Sequence, residues 1–431
     1  MEATEITNNP WIEGGKIGRR YLLKNMFMAK PEHVIWKAED EILKISCFLF
    51  VPVSMERQKL REIAWNMINR ESEDTCPVVH GMFRAAGKDM LIISCGKKTQ
   101  REEELAVWFQ PDERKPEVIE RIDGSVSRPE TAEKLLPCGH VLNRRYEIIA
   151  PLGIGGFGIT YLCMDRILLR NVAIKEYLPE GYAVRDGKYV SILSGQTLDA
   201  FRQGYQLFLQ EIKLTTRMNH VKHLPIIYDA FEENDTAYMV MHYEEGESVG
   251  REYRARSYCC YTPKRMCELI LPVLDGLKDL HQKHIIHCDI SPANMIHKKD
   301  GDVVLIDFGS AIDLREKEAL HNVSLLKKDF AAPEQFLNAK AGALINKEGP
   351  WTDIYALGAT MYYLLTGYKA TDALTRIEKK EKLVLPKEYG VDIKRGWIKL
   401  VFQCMEIEPS KRIKSVEELM NQIHKLLKKE K

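Results

Sequence analysis

The distribution of apolar residues divides the chain into two blocks separated by a charged stretch. Between residues 98 and 134 the apolar pattern fades and charges accumulate, which is typical of a linker. We therefore predict an N-terminal block over 1–96, a charged linker over 97–140 and a C-terminal domain over 141–431. A chain of 431 residues is long enough for such an arrangement.

The C-terminal block begins with strand-like segments and ends in helices. Residues 354–365 are apolar nearly all round, which predicts a helix buried in the middle of a domain. Val416, Leu419, Ile423 and Leu426 recur at helical spacing with charges between them, which predicts an amphipathic helix that closes the fold. Strands followed by helices predict an α+β fold with two lobes.

Composition and charge exclude several classes of protein. The chain is 45% apolar and 29% charged, and its 63 basic and 62 acidic residues give no reason to predict a nucleic-acid partner. No run of apolar residues is long enough for a membrane span, and the N-terminus lacks the features of a signal peptide. The ten cysteines form no Cys-x-x-Cys pair, so we expect reduced thiols in a cytoplasmic protein.

A glycine-rich run at residues 153–158 has the pattern Gly-x-Gly-x-x-Gly. Strand-like residues flank it on both sides, at 145–149 and 159–163. A dinucleotide-binding loop would instead lead from a strand into a helix. A glycine loop between two strands resembles the arrangement of protein kinases, in which it covers the ATP phosphates and only glycine permits close approach of the backbone. An ordinary hairpin turn is the alternative.

Four further motifs follow the glycine loop in a fixed order. They are Val172-Ala173-Ile174-Lys175, His287-Cys288-Asp289 with Asn294 behind it, Asp307-Phe308-Gly309, and Ala332-Pro333-Glu334. This series resembles the motifs of protein kinases, and the runs at 174–179, 183–187 and 349–358 resemble those of bacterial-type, eukaryotic-like serine/threonine kinases. The resemblance implies a two-lobed kinase fold, with an antiparallel β upper lobe and a helical lower lobe.

The resemblance also implies a reaction, the ATP- and Mg²⁺-dependent transfer of the γ-phosphate to serine or threonine hydroxyls of a protein substrate. Asp289 would orient the hydroxyl and accept its proton, and Lys175 would contact the α- and β-phosphates. Glu211, in the first predicted helix, is the best candidate for the acidic partner of Lys175. Glu176 and Glu180 are nearer in sequence, and we expect both to be solvated.

Further site residues follow from the same resemblance. Asn294 would be catalytic, and Asn294 and Asp307 would both be metal ligands, since hard oxygen donors suit Mg²⁺. The predicted nucleotide-binding residues are Gly153, Gly155, Gly156, Phe157, Gly158, Thr160, Ala173, Lys175, Met241, His242, Tyr243 and Glu244. The last four would hold the adenine with their backbone. Three further matches are interpreted as structural. Asp353 would brace the catalytic loop, and Glu334 and Arg412 would form a buried ion pair.

Two positions depart from the kinase pattern. Most serine/threonine kinases have lysine two residues after the catalytic aspartate, where this chain has Ser291; tyrosine kinases supply arginine four residues after it, where this chain has Ala293. The loss of one cation at a transferring phosphoryl group costs on the order of 10²-fold in rate. This keeps open a nucleotide-binding pseudokinase that acts as a scaffold. Cys288 replaces the arginine that usually receives an activation-loop phosphate, so a phosphate on Ser310 or Ser324 would lack that partner.

The N-terminal block resembles the upper lobe of the kinase domain in the same chain. At an offset of 125 residues, Arg20, Tyr21 and Asp40 align with Arg145, Tyr146 and Asp165. At an offset of 148, residues 76–83 align with residues 224–231. The change in offset falls where the kinase domain has an insertion before its first helix. Chance similarity between strand-rich segments is the alternative.

The repeat has lost its chemistry. Its loop positions hold Met28, Lys30 and His33, and the lysine and glutamate positions hold Phe50 and Ile63. We predict an antiparallel sheet from Tyr21 to Cys95, a helix around 55–69, and contact between Phe50 and Ile63. The exposed face of this block is expected to dock on the kinase domain or to form a homodimer, with a regulatory role. A ligand- or partner-binding block unrelated to kinases is the alternative.

Overall fold

The computed structural model describes most of the C-terminal block and the strands of the N-terminal block. The described ranges are 15–17, 20–29, 33–42, 45–52, 60, 63–64, 78–85, 88–94, 134–255, 260–315, 327–336 and 348–430. Residues 97–133 of the predicted linker lie outside the described ranges, so the boundaries of the linker stay predictions. The chain divides into two compact units, one made of residues 1–220 and 226–243 and the other of 221–225 and 244–431.

An antiparallel sheet forms the N-terminal module, which comprises the described residues of 1–96. Its strands occur in the order β1-β2-β3-β4-β6-β5. Their bounds are β1 Lys16–Ile17, β2 Tyr21–Ala29, β3 His33–Asp40, β4 Ile45–Pro52, β5 Val78–Ala85 and β6 Lys88–Ser94. Leu60, Ile63 and Ala64 are helical, and the rest of the helix predicted over 55–69 lies outside the described residues.

Strand β4 is apolar on both faces, and alternate side chains enter different cores because successive strand residues point to opposite sides. Phe48 and Phe50 belong to one buried cluster with Ile63, whereas Cys47 and Leu49 belong to another. Phe50 and Ile63 are both fully buried. The two apolar residues therefore share one core at the positions where the kinase domain has a lysine and a glutamate.

A second antiparallel sheet forms the upper lobe, which comprises residues 134–220 and 226–243. Its order is β13-β14-β10-β9-β8-β7. A separate hairpin, β11 with β12, precedes the helix α1 and is the predicted insertion. The bounds are β7 Val141–Leu142, β8 Tyr146–Gly155, β9 Gly158–Asp165, β10 Arg170–Tyr177, β11 Ala183–Asp186, β12 Tyr189–Ile192, α1 Leu198–Thr216, β13 Ile227–Glu233 and β14 Thr236–His242.

When the second sheet is read from its other edge, as β7-β8-β9-β10-β14-β13, its strand order is the same as that of the first sheet. The two sheets also share their irregularities. The β2–β3 pair has register shifts at Leu23/Asn25 and Met26/Met28, and β8–β9 has them at Ile148/Ala150 and Pro151/Gly153, each 125 residues later. The shift at Val79/Gly81 recurs at Ile227/Asp229, 148 residues later. Chance similarity would not reproduce three bulges at the predicted offsets. The N-terminal module thus resembles a degenerate kinase upper lobe, as the sequence predicted.

Both copies of the repeat contain an arginine–aspartate pair at the start of the sheet. Arg20 Nε lies 2.9 Å from Asp40 Oδ2, and Arg145 Nε lies 2.9 Å from Asp165 Oδ1. In both copies the aspartate also accepts a hydrogen bond from the backbone N–H two residues later, at 2.9 and 3.0 Å. The same pair therefore closes the same turn twice in one chain.

The module and the upper lobe exchange apolar side chains within the first unit. Leu168, from the turn between β9 and β10, belongs to the buried cluster of the module, and Val78 of β5 belongs to the core cluster of the upper lobe. Polar contacts accompany them. Arg20 Nη1 lies 2.6 Å from Asp229 Oδ1, and Arg170 Nη2 donates to the carbonyl oxygen of Val79 at 2.8 Å.

The second unit is mainly helical. Helix α4, Pro350–Thr366, is buried along almost its whole length, as its continuous apolar sequence predicted, and helix α7, Val416–Lys428, buries Val416, Leu419 and Ile423. Within the described residues no helix is long and apolar enough to cross a membrane. The bounds are β15 Gly246–Ser248, α2 Val249–Ala255, α3 Pro263–Gln282, β16 Ile285–Ile286, β17 Met295–Lys298, β18 Val303–Leu305, β19 Ile312–Asp313, α4 Pro350–Thr366, α5 Ala373–Glu378, α6 Arg395–Cys404 and α7 Val416–Lys428.

A buried ion pair ties the segment before α4 to the segment before α7. The Arg412 guanidinium donates to Glu334 Oε1 at 2.8 Å and to Oε2 at 2.9 Å, with both residues at most 2% exposed. Arg412 also donates to three backbone carbonyl oxygens, which satisfies its remaining N–H groups. This bidentate geometry is the structural pair that the sequence predicted for Glu334 and Arg412.

Candidate active site

The glycine-rich loop is the tip of the hairpin formed by β8 and β9, where Gly155 pairs with Gly158. A Cβ at Gly158 would lie 1.8 Å from the carbonyl oxygen of Glu176, which is backbone and cannot turn away. A Cβ at Gly156 would meet nothing within 4 Å. The close contact of β9 with β10 therefore requires glycine at position 158. At position 156 there is room for a side chain, because the space beside the tip of the loop holds no other atom.

Lys175 and Glu211 form an ion pair between β10 and α1. Lys175 Nζ lies 2.8 Å from Glu211 Oε1 and 3.0 Å from Oε2. Both side chains are mostly buried, at 15% and 5% exposure. The structure thus brings together the lysine and the glutamate that the sequence paired, 36 residues apart.

Glu176 is fully buried, so the expectation that it is solvated was wrong. Its side chain points to the opposite face of β10 from Lys175. There it accepts hydrogen bonds from Tyr238 at 2.7 Å and Tyr161 at 3.1 Å, and it forms an ion pair with Arg185 of the inserted hairpin. These partners satisfy a buried carboxylate and fix the insertion to the sheet. Glu180 is exposed, as predicted.

The predicted adenine-binding residues follow the pairing of β10 with β14, in which Ala173 faces Met241. Ala173 is buried and Met241 is partly buried. His242 Nδ1 lies 2.8 Å from the hydroxyl oxygen of Tyr228. Thr160 pairs with Lys175 across β9 and β10, and Phe157 packs against the core of the upper lobe. Tyr243 and Glu244 come directly after β14.

In the second unit, Asp289 and Asn294 are joined by hydrogen bonds within the predicted catalytic loop. Asn294 Nδ2 donates to the backbone oxygen and to Oδ2 of Asp289, each at 2.8 Å. The pairing of β17 with β18 brings the backbone N–H of Ile306 within 2.8 Å of the Asn294 carbonyl oxygen. Asp307 follows with a φ of 69°, a left-handed conformation that a non-glycine residue rarely adopts.

Asp353 braces this loop from the first turn of α4. Its carboxylate is fully buried and accepts hydrogen bonds from the backbone N–H groups of His287 at 3.0 Å and Cys288 at 2.9 Å. The ring of His281 lies 2.8 Å from Asp353 Oδ2. Cys288 has a φ of 64°, and these bonds hold it there. The structure therefore gives Asp353 the bracing contacts that the sequence predicted.

Lys327 is a site residue that the sequence analysis missed. Its Nζ lies 2.9 Å from Asp289 Oδ2 and 3.3 Å from Ser291 Oγ. It belongs to no motif, and 38 residues separate it from Asp289. The one available signal was indirect: a site that lacks a lysine at position 291 needs a cation from another part of the chain.

Asp289 has the electrostatic environment of a base that works near neutral pH. Burial raises the pKa of Asp289 to about 6, and the nearby carboxylate of Asp307 adds to this rise. The Lys327 ammonium and the hydrogen bond from Asn294 act against it and favour the ionised form. A carboxylate with this pKa is ionised at pH 7 and still accepts a proton readily.

A family model described as the protein kinase domain matches residues 146–424. The chain belongs to the protein kinase family. The match covers both sets of candidate site residues, those on β8–β10, α1 and β14 and those between β16 and β19.

Several relatives of this kinase are bacterial serine/threonine kinases. It is 28% identical to serine/threonine-protein kinase B of Synechocystis sp., over 68% of this chain and 49% of that protein. It is 32% identical to PrkC of Bacillus subtilis, over 53% of this chain and 31% of that protein. The kinase thus spans half or less of the length of these relatives. The predicted resemblance to bacterial-type, eukaryotic-like serine/threonine kinases is confirmed.

A solved structure supports the same fold. The apo form of PpkA-294 matches this kinase with a TM-score of 0.56 and 28% identity, over 67% of this chain and 99% of that one. The two-lobed kinase fold predicted from the motifs is therefore confirmed, and the N-terminal module is an addition to it. The roles of individual site residues stay predictions.

Proposed function

We propose that this protein is an active kinase that transfers the γ-phosphate of ATP to serine or threonine hydroxyls of a protein substrate. The observation that carries the proposal is the ion pair between Lys175 and Glu211, at 2.8 and 3.0 Å. Protein kinases require this pair to be in place for phosphoryl transfer. A site that had lost nucleotide binding would have no reason to keep a lysine and a glutamate buried together, because an apolar pair is less costly to bury, as Phe50 and Ile63 illustrate.

The residues of the second unit fit the remaining chemistry. Asp289 accepts the proton of the substrate hydroxyl as the oxygen of that hydroxyl bonds to phosphorus and ADP leaves. The amide oxygen of Asn294 and the carboxylate of Asp307 are hard donors, a set that fits Mg²⁺ completed by phosphate oxygens. When bound, the metal ion neutralises charge on the phosphates. Lys175 adds a fixed positive charge, and Gly158 permits the close strand contact beside it.

The test is incorporation of labelled phosphate from ATP into a protein acceptor, with Asp289→Asn against wild type. We expect a loss on the order of 10³-fold in the variant. Asp329→Asn is the matched control, because Asp329 lies in the same segment as Lys327 but pairs with Lys369 at the surface. Equal transfer by the Asp289→Asn variant and wild type would refute the assignment. A wild type that binds ATP and transfers nothing would favour the pseudokinase scaffold.

We also propose that the N-terminal module regulates the kinase domain through intramolecular docking. A chain of contacts supports this. His80 Nδ1 lies 3.0 Å from the Tyr228 carbonyl oxygen, and the Tyr228 hydroxyl lies 2.8 Å from Nδ1 of His242, a predicted adenine-site residue. The Arg170 guanidinium lies 3.4 Å from the centroid of the Tyr228 ring. Displacement of the module would thus disturb Tyr228 and, through it, the nucleotide site.

The regulatory proposal is tested in the full chain with Arg20→Met, which removes the ion pair to Asp229 together with the pair to Asp40. Autoinhibition predicts a kinase rate at least threefold above wild type. Lys24→Met is the control, because Lys24 lies on β2, four residues after Arg20, and pairs with Glu39 at the surface. Sedimentation of both variants distinguishes intramolecular docking from a homodimer. Unchanged rate and unchanged oligomeric state in the Arg20→Met variant would dispose of the regulatory role.

A further inference from the structure

Ser291 leaves the catalytic loop without the lysine that most serine/threonine kinases place there. Its side chain is 1% exposed, at the start of the short helical turn Pro292–Asn294. Its hydroxyl is neutral and cannot balance charge on a transferring phosphoryl group. If this kinase is active, a cation must reach the same place from another segment.

Lys327 is positioned to be that cation. Its ammonium contacts both the carboxylate of Asp289, at 2.9 Å, and the hydroxyl of Ser291, at 3.3 Å. Its side chain is about one-third exposed, at 36%, so the ammonium is not locked in the core. Its partner Asp289 is 14% exposed, so the pair is partly buried, and solvent at the lysine reduces its contribution to stability.

The segment that carries Lys327 is fixed to the catalytic loop. The Lys327 carbonyl oxygen accepts hydrogen bonds from the backbone N–H groups of Phe330 and Ala331, which close a turn. Gln335 then donates from Nε2 to the Cys288 carbonyl oxygen at 2.8 Å and accepts from the Ala332 N–H at 2.8 Å. The turn that begins at Lys327 is therefore linked, through the side chain of Gln335, to Cys288, the residue before Asp289.

We propose that Lys327 supplies the positive charge that the catalytic loop lacks at Ser291, so that the lysine has moved from the catalytic loop to the segment preceding Ala332-Pro333-Glu334. The inference rests on the proposed kinase function. Lys327 neutralises the γ-phosphate as the bond from phosphorus to the substrate oxygen forms and the bond to the ADP oxygen breaks. The proton goes to Asp289, and Lys327 is neither consumed nor deprotonated.

The first test compares phosphate transfer by Lys327→Met, Lys327→Arg and the exchange variant Ser291→Lys with Lys327→Ser. We expect Lys327→Met to lose on the order of 10²-fold. Lys327→Arg keeps the charge and should stay within tenfold of wild type. The exchange variant returns the lysine to the catalytic loop and should recover at least tenfold over Lys327→Met. The exposed neighbour Lys328→Met is the matched control and should retain the wild-type rate.

The second test needs no turnover. Calorimetry measures the affinities for ADP and for the non-hydrolysable triphosphate AMP-PNP, both with Mg²⁺. Lys327→Met should lose about tenfold in affinity for AMP-PNP while its affinity for ADP stays within twofold, because the missing charge faces the third phosphate. A neutral substitution that weakens both ligands equally would overturn the proposal, and so would one that weakens neither.

The outcomes separate this inference from the kinase function itself. An active wild type with an equally active Lys327→Met variant removes only the role of Lys327. A Lys327→Met variant faster than wild type would overturn the proposal in favour of an inhibitory lysine that blocks Asp289. A wild type that transfers no phosphate, with AMP-PNP and ADP bound equally by wild type and variant, removes both.

Discussion

Arg20 of the N-terminal module and Asp229 of the upper lobe form an ion pair of 2.6 Å across 209 residues of sequence. Arg20 also pairs with Asp40 in its own turn, and Asp229 also accepts a hydrogen bond from Tyr146 at 3.1 Å. Arg145, the equivalent of Arg20 in the repeat, pairs in the same way with Asp165, the equivalent of Asp40. Gly81 takes the place of Asp229 in the module. Arg145 therefore cannot form with the module the ion pair that Arg20 forms with the upper lobe, and the two copies of the repeat contact each other asymmetrically.

This pair predicts a measurable coupling between the two sheets. Arg20→Met and Asp229→Asn should each destabilise the first unit, and the double variant should lose less than their sum by about 1–2 kcal/mol, since each partner is left mostly buried without the other. Urea unfolding of the four proteins measures the coupling. Lys24→Met should change stability by less than about 0.5 kcal/mol, because its partner is exposed. Additive losses would contradict the coupling.

A second prediction concerns His80, which bridges the Tyr228 carbonyl oxygen and Ser94 Oγ. Burial lowers the pKa of His80 to about 4 from an ordinary value of 6.5; the Tyr228 carbonyl and Asp40 oppose this fall, and Arg20 and His220 add to it. The unfolded chain therefore takes up the proton first, so stability is complete above pH 6.5 and declines as the pH falls towards 4. The decline reaches about 3 kcal/mol at its limit.

Unfolding measured between pH 7 and 4 tests the role of His80. His80→Gln cannot gain the proton, so the difference in stability between wild type and this variant should change across that interval. His424→Gln replaces an exposed histidine and should follow wild type at every pH. A difference between wild type and His80→Gln that is constant with pH would show that this histidine does not titrate on unfolding.

The third prediction compares two glycines of the glycine-rich loop, Gly158, which close packing requires, and Gly156, which has free space beside it. Gly158→Ala places a methyl group against the Glu176 carbonyl and should cost about 1–3 kcal/mol of stability, because the β9–β10 contact must widen. Lys175 lies next to that contact, so affinity for ATP should fall by about tenfold. Gly156→Ala meets no atom within 4 Å and should leave stability unchanged. Calorimetry and thermal unfolding of both variants check this.

The sequence was sufficient for whatever is encoded in runs of neighbouring residues or in fixed spacings. The buried helix predicted at 354–365 is α4, Pro350–Thr366, and the offsets of 125 and 148 residues locate the bulges of the second sheet. Burial of Glu176 could not be predicted, because its partners Tyr238 and Arg185 come from two other strands.

Lys327 shows the same limit at the site itself. Its pairing with Asp289 joins segments 38 residues apart, and no motif marks a lysine whose role depends on where a loop folds. Departures from a motif are more informative than they first look in such a case. Ser291 alone kept a pseudokinase open as an alternative, whereas the contact of Lys327 with Ser291 is the basis for our proposal that the charge comes from another segment.

The last prediction concerns control by phosphorylation. Cys288 replaces the arginine that usually receives an activation-segment phosphate, and its thiol is buried, which raises its pKa well above the ordinary value and keeps it neutral. The backbone of Cys288 is held without any phosphate, by Asp353 on its N–H and by Gln335 on its carbonyl oxygen. Because the loop is already braced, activity should not depend strongly on a phosphate in this segment.

The double variant Ser310→Ala with Ser324→Ala checks this, together with phosphatase-treated wild type whose mass confirms the absence of phosphate. Ser324 lies outside the described residues, and Ser310 follows Gly309 directly. Both proteins should keep most of the wild-type rate. A loss of tenfold or more, about 1.4 kcal/mol of barrier, would show that another cation receives a phosphate and that the brace formed by Asp353 and Gln335 is not sufficient.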